Sequence, residues 1–187
     1  MDTNINYINS HDMFSEGAGL FAQGKFREAL SCFSKAIEVN PAFHKAYLSR
    51  GAAWVKVGDM EKAKADFSIA IDLIPQDPKA YHFRGLTFLT LGDREKARAD
   101  FDKAIEMDSR YAAAYFSRGT TLSEMGDLDG AGKDMVAAAR LGEAHLQGFA
   151  DDHNILRTRY DKNLAELTGE READWVVTSD LNSHLDG

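Results

Sequence analysis

Histidine, cysteine and serine side chains are the groups of this sequence that could bind a metal ion or act as a nucleophile. The histidines and the single cysteine are His11, His44, His82, His145, His153, His184 and Cys32. No two histidines are spaced to lie on one helical turn, as paired metal ligands do. Ser49 and Ser117 fall in a repeated phrase, but no histidine recurs beside them as a base. The sequence also lacks a glycine-rich phosphate loop, so we predict no metal, no cofactor and no enzymatic activity.

Composition and charge narrow the class of partner. The 187 residues include 22 Lys and Arg and 30 Asp and Glu, which gives a net charge of −8. A negative net charge repels nucleic acid and anionic membranes. No stretch approaches the roughly 18 to 20 apolar residues that cross a bilayer, and the first residues lack a basic and apolar leader. A lone cysteine fits a reducing compartment. We therefore expect a cytoplasmic protein with no nucleic-acid partner and no membrane insertion.

One phrase recurs at intervals of 34 residues. It reads AYLSRGAAW from Ala46, AYHFRGLTF from Ala80 and AYFSRGTTL from Ala114. A second phrase keeps step with the first: ALSCFSKAI from Ala29, then AKADFSIAI, ARADFDKAI, and a divergent copy, AGKDMVAAA, from Ala131. Apolar residues within each unit are three, four or seven apart, which predicts two amphipathic helices per unit. The sequence therefore predicts four units of two helices each.

The sequence also predicts the turn between the two helices of a unit. VGDMEKA, LGDREKA and MGDLDGA each place a glycine followed by an aspartate between the two apolar stripes. These residues are Gly58, Gly92, Gly126, Asp59, Asp93 and Asp127. We predict a left-handed helix cap at each glycine and an N-cap acceptor at each aspartate.

The recurring positions resemble the tetratricopeptide repeat. The second unit meets the family's order of aromatic, glycine, large apolar, alanine, large apolar, alanine and proline. The matching residues are Tyr47, Gly51, Trp54, Ala63, Phe67, Ala70 and Pro75. The third unit has Ser109 in the proline place, and the fourth has Met135 for the second aromatic and Glu143 for the proline. The resemblance implies an all-α, right-handed α-solenoid of about four helix-turn-helix repeats, with its function on a concave face.

Beyond the repeats, the pattern predicts a cap and a tail. Leu156, Tyr160, Leu164 and Leu167 form one helical stripe, so we expect a C-terminal capping helix over the last unit. The tail carries five acidic residues against one arginine, with an apolar DWVV stretch inside it. The predicted segments are 1–9 (N-terminal segment), 10–43, 44–77, 78–111 and 112–143 (repeats), 144–168 (capping helix) and 169–187 (acidic tail).

If the resemblance holds, the first helix of each unit lines a groove for a partner. The residues taken to line it are Phe14, Phe21, Lys45, Leu48, Val55, Lys79, His82, Leu86, Leu89 and Phe116. One branch of the family binds acidic chain ends through a clamp of lysines, asparagines and an arginine. Here Ala18 and Ser49 occupy the two asparagine places and Phe83 the arginine place, so we reject the clamp. The alternative to an open groove is one covered by neighbouring helices or by Ile5, Tyr7 and Ile8.

An arginine and an aspartate also recur together in the last three units. Arg50, Arg84 and Arg118 each precede, by the same interval, Asp66, Asp100 and Asp134. The first unit has Glu16 and Cys32 in these places, so both charges are missing at once. We predict an ion pair between the two helices of each of the last three units. The alternative is that the two short phrases recur independently.

Three functions compete on these observations. The repeats favour a scaffold or adaptor for protein–protein interaction that binds a peptide or helical segment of a partner. The second is a homo-oligomer that docks its repeat ends or its tail motif, Trp175, Val176 and Val177, into another copy. The alternative for this motif is an apolar patch that folds back on the cap. The third, an enzyme or its regulatory subunit, would require an acid–base cluster that the sequence does not show.

Overall fold

A computed structural model describes the backbone of residues 2–152 and the side chains of residues 9–142. This part of the chain is helical and contains no strand. Its eight helices are α1 (Asp2–Ala22), α2 (Phe26–Val39), α3 (His44–Val57), α4 (Met60–Leu73), α5 (Pro78–Thr90), α6 (Arg94–Met107), α7 (Ala112–Glu124) and α8 (Leu128–Asp152). The fold is an all-α helical repeat solenoid, as the sequence predicts.

The turns within the pairs have the predicted chemistry. Gly58, Gly92 and Gly126 have φ angles of 89°, 84° and 88°, in the left-handed region where a Cβ is unfavourable. Asp59 and Asp93 each accept a hydrogen bond at 3.2 Å from the backbone NH three residues later. Asp127 accepts one from the Gly130 NH at 2.9 Å, and these contacts satisfy amides that the helix itself leaves free. The predicted caps are therefore confirmed.

A glycine and a phenylalanine form the crossing inside each of the first three pairs. Phe33, Phe67 and Phe101 are at most 1% exposed and fill the core between the two helices of a pair. A Cβ added to Gly17, Gly51 or Gly85 would lie 2.6–2.7 Å from the ring of the paired phenylalanine. The glycine is therefore required by close packing rather than by backbone conformation.

Successive helices pack against one another from α1 to α7, and the two alternating layers differ in spacing. Consecutive odd-numbered helices approach each other, α1 with α3, α3 with α5 and α5 with α7. Neither α2 with α4 nor α4 with α6 does so. The layer of odd-numbered helices is thus the tighter of the two layers.

Two helix boundaries differ from the predicted segments. Helix α1 begins at Asp2, so most of the predicted N-terminal segment belongs to the first helix. Helix α8 continues through residue 143, where Glu143 stands in the proline place, to Asp152. The described chain divides after Ala138, and a second unit begins at Ala139 with the remainder of α8. The rest of the predicted capping helix and the whole acidic tail lie outside the described residues.

Candidate interaction face and its supporting contacts

The predicted ion pairs are present in all three later helix pairs. Arg50 donates from Nε and Nη2 to the two carboxylate oxygens of Asp66, at 2.8 and 2.7 Å. Arg84 makes the same two-point contact with Asp100, at 2.8 Å for both bonds. The third pair, Arg118 and Asp134, has distances of 2.6 and 2.7 Å. The aspartate side chains are 5–8% exposed and the arginines 20–23%, so these pairs are largely shielded from water.

Each arginine also reaches back to the preceding helix pair. The remaining terminal nitrogen, Nη1, is the donor. Arg50 donates to Ser34 Oγ at 3.2 Å, and Arg84 donates to Ser68 Oγ at 3.3 Å. In the last case the acceptor is a carboxylate, and Arg118 Nη1 lies 2.7 Å from Asp102 Oδ1. One guanidinium therefore joins three helices. The sequence prediction missed this second contact, although its acceptors also recur every 34 residues.

The surroundings of the guanidiniums stabilise their charge. In each case the hydrogen bonds that the arginine donates to its paired aspartate raise the arginine pKa above its usual range. Tyrosines three residues earlier on the same helices lie beside them. Arg50 sits 5.5 Å from the ring centre of Tyr47, Arg84 sits 5.8 Å from that of Tyr81, and Arg118 repeats the contact with Tyr115. The arginines are therefore structural cations, not free ones available to a ligand.

His82 forms a buried polar cluster that the sequence prediction missed. Its Nε2 lies 3.0 Å from Ser117 Oγ, and its Nδ1 lies 3.1 Å from Tyr111 Oη. His82 is 6% exposed, and burial lowers its pKa to about 4, so the ring is neutral near pH 7. Burial is also the main cause of a raised pKa for Tyr111. This cluster holds α5 against α7.

The structure places the ten groove residues at different depths. Lys45, Lys79, Leu86 and Phe116 are exposed, whereas His82 is buried and closed to a ligand. The half-buried members are Phe14, Phe21, Leu48, Val55 and Leu89. Phe14 packs on the rings of Phe33 and Phe43, at centroid distances of 5.7 and 5.0 Å. The tail motif Trp175, Val176 and Val177 lies outside the described residues.

The exposure of Phe116 follows from its position in the stack. Phe14, Leu48, His82 and Phe116 occupy the same place in consecutive repeats. Phe14 packs on Phe43, which directly precedes the next odd-numbered helix, and His82 packs on Tyr111, which precedes α7. Phe116 is 58% exposed, and no further odd-numbered helix follows α7 within residues 2–152. Within these residues, its exposure follows from the lack of a further odd-numbered helix beside α7, and its place in the groove stays a prediction.

Two lysines give the odd-numbered helices an unpaired positive charge. Lys45 and Lys79 occupy the same place on α3 and α5, and both are exposed. Neither side chain makes an ion pair with another described residue. Of the lysines on the even-numbered helices, Lys62, Lys64, Lys96 and Lys103 each pair with an acid three residues away, whereas Lys35 and Lys133 pair with no described residue. The exposed surface of α3 and α5 thus combines free cations with Leu86, which is 38% exposed.

The described residues hold neither a candidate metal cluster nor a candidate membrane span. No three His, Cys, Asp or Glu side chains there come together as metal ligands. Across residues 2–152, none of the helices combines the length and apolar character that a bilayer crossing requires.

Solved structures of similar fold are tetratricopeptide repeat proteins. The first such domain of Spaghetti (RPAP3), bound to the HSP90 peptide SRMEEVD, matches with a TM-score of 0.63 at 22% identity over 64% of this chain and 95% of that chain. MamA from residue 41, from Desulfovibrio magneticus RS-1, matches with a TM-score of 0.66 at 20% identity over 72% and 76%. The second domain of human RPAP3, in complex with the HSP70 peptide SGPTIEEVD, matches with a TM-score of 0.58 at 25% identity over 63% and 96%. The curated proteins contain no match.

Family profiles agree with these structures. Three profiles, each described as tetratricopeptide repeat, match residues 15–78, 78–111 and 101–133. Together they cover the three glycine crossings and the Arg50–Asp66 and Arg84–Asp100 pairs. The chain therefore belongs to the tetratricopeptide repeat family.

Proposed function

We propose that this chain is a non-catalytic adaptor that binds a peptide or helical segment of a partner protein. The binding surface is the odd-helix face, formed by Lys45, Leu48, Val55, Lys79, Leu86 and Leu89. One observation carries the proposal: α1, α3, α5 and α7 approach each other in turn, whereas α2, α4 and α6 do not. A stack with one tighter layer bends toward that layer, so the odd-helix face lies on the inner side of the bend.

The chemistry of the face supports segment binding. Leu86 offers an exposed apolar anchor, while Leu48, Val55 and Leu89 are half-buried around it. A large apolar side chain of a ligand gains about 1.5–3 kcal/mol when it is fully buried. Two or three such anchors are compatible with micromolar binding after ordering costs. Unlike the arginines, Lys45 and Lys79 are free to pair with a ligand.

Related structures support a peptide ligand but not the same peptide. Two of the similar structures hold HSP90 or HSP70 peptides that end in EEVD. In this chain Ala18, Ser49 and Phe83 stand where the clamp for such ends has its asparagines and arginine. We therefore expect no selective binding of a free EEVD terminus.

A matched pair of substitutions tests the face. Leu86 on α5 and Ile69 on α4 are both 38% exposed, but they lie in different layers. A peptide selected from a displayed library against the full chain should lose about tenfold in affinity on Leu86→Glu, or about 1.4 kcal/mol, and less than about twofold on Ile69→Glu. Fluorescence anisotropy measures both. Equal losses, or a loss on Ile69→Glu alone, would place the site elsewhere.

A further inference from the structure

We infer that the odd-helix face accepts the acidic tail of a second copy of this chain, residues 170–187. The inference rests on the proposed function of that face and names its occupant. The first step is the charge of the face. Lys45 and Lys56 lie three helical turns apart on α3, and Lys79 repeats the place of Lys45 on α5. All three are exposed, and none makes an ion pair with another described residue.

This charge is concentrated on two neighbouring helices that contain no acidic residue, in a chain whose net charge is −8. The acid in the corresponding last turn of α7, Glu124, is already paired with Arg94 at 2.8 Å. On α3 and α5 the face is thus a positive, partly apolar strip, because neither helix contains an acid that could neutralise it.

The tail supplies the complementary chemistry. Its first eight residues, EREADWVV, contain Glu170, Glu172 and Asp174 against one arginine, followed by Trp175 and two valines. Acids fit the lysines, and the aromatic and β-branched side chains fit the apolar surface around Leu86. Eight extended residues reach about 26 Å, enough to cross two or three helices packed about 10 Å apart.

Because the tail comes from a second copy, its binding makes the chain self-associate. The local attraction between face and tail must then exceed the repulsion between two chains of net charge −8. Because the match is electrostatic, added salt screens it, and the Debye length falls from about 10 Å at 0.1 M to about 3 Å at 1 M. Association should therefore weaken as salt rises.

Charge reversal in full-length chains tests the inference. The face-reversed variant is Lys45→Glu/Lys79→Glu, and the tail-reversed variant is Glu172→Lys/Asp174→Lys. The control is Lys35→Glu/Lys133→Glu, two exposed lysines of α2 and α8 that pair with no described residue. Light scattering over a concentration series gives the mass of each chain, and circular dichroism checks that each is helical.

The expected result is self-association of the natural chain and of the control, with an apparent Kd raised at least tenfold in either reversed variant. Mixing the two reversed variants should restore association, because each retains the half that the other has lost. A monomeric natural chain, persistent association of the reversed variants, or no rescue on mixing would each overturn the inference. If library peptides still bind the monomer through Leu86, the proposed function stands and the tail alone is excluded as ligand.

Discussion

The first and third helix pairs have the same geometry but different chemistry. In both, a glycine lies against a fully buried phenylalanine, Gly17 with Phe33 and Gly85 with Phe101. The third pair adds the Arg84–Asp100 ion pair and the His82 cluster, whereas the first has Cys32 where Asp100 stands. The apolar crossing is thus common to both pairs. The polar contacts are additions that also tie the third pair to its neighbours.

The largest difference between the two pairs should come from removing the acid of the third. Asp100→Ala leaves Arg84 largely buried without its carboxylate, and we expect a loss of about 3 kcal/mol in the free energy of unfolding. Cys32→Ala, at the equivalent place of the first pair, should cost less than about 1 kcal/mol because no charge is left unpaired. Denaturant unfolding measures both variants.

A double-mutant cycle isolates the ion pair itself. The coupling energy between Arg84→Ala and Asp100→Ala should exceed the roughly 0.2–1 kcal/mol typical of exposed pairs. Lys103 and Glu106, which are 54% and 66% exposed, form the reference pair. A coupling no larger than that reference would show that the buried pair adds no stability of its own.

The His82 cluster should make the third pair sensitive to acid. Its folded pKa of about 4 lies below the usual value of 6.5, so the unfolded chain binds the proton more tightly. The stability contributed by neutral His82 is full above pH 6.5 and is lost as pH falls toward 4, by about 2–3 kcal/mol. Unfolding curves at pH 7, 6, 5 and 4 measure this loss.

The matched variant is His82→Leu, because Leu48 occupies this place in the second repeat. It should remove most of the slope between pH 6.5 and 4, even if it lowers stability at neutral pH. His44, whose pKa is also lowered by burial, is present in both proteins, so it does not contribute to the difference between their pH dependences. Parallel curves for the two proteins would contradict the prediction.

The common crossing can be tested with one substitution at two places. Gly85→Ala puts a Cβ 2.6 Å from the ring of buried Phe101 and should cost about 2 kcal/mol. In the fourth pair, the Cβ of Gly119→Ala meets Asp134 Cβ at 3.1 Å, the backbone oxygen of Ala131 at 3.2 Å and the flexible end of Met135 at 3.4 Å. The better helix propensity of alanine, about 1 kcal/mol, should offset these contacts. Thermal unfolding measures the stability of both variants. Equal losses of stability would mean that the aromatic ring does not determine whether alanine is tolerated at the crossing.

The smallest expected effect concerns the link between neighbouring pairs. Ser68→Asp should give Arg84 the second carboxylate that Arg118 already has in Asp102, stabilising the chain by about 0.3–1 kcal/mol. The gain should vanish in an Arg84→Met background, and denaturant unfolding measures it. A gain that persists without the arginine would come from another source.

Much of the architecture was predictable because its signals are local and periodic. Gly58 and Asp59, which are adjacent in sequence, specify the turn between two helices. The repeat interval then shows which residues are equivalent in the other units. The Arg–Asp pairs were predicted from joint occurrence alone, since charges that appear and disappear together indicate contact. The hydrogen bond from each arginine to the preceding helix pair was missed because serines such as Ser34 and Ser68 are common in helices and do not by themselves indicate a partner.

The candidate site was only partly predictable because exposure depends on what the next repeat covers. His82 and Phe116 occupy the same place in sequence, yet one is 6% and the other 58% exposed. The sequence determines the period, the helices, their caps and their paired charges, since these depend on residues within one repeat. The tertiary structure decides which residues of the stripe remain open and which helix layer is tighter, because both depend on how whole repeats stack.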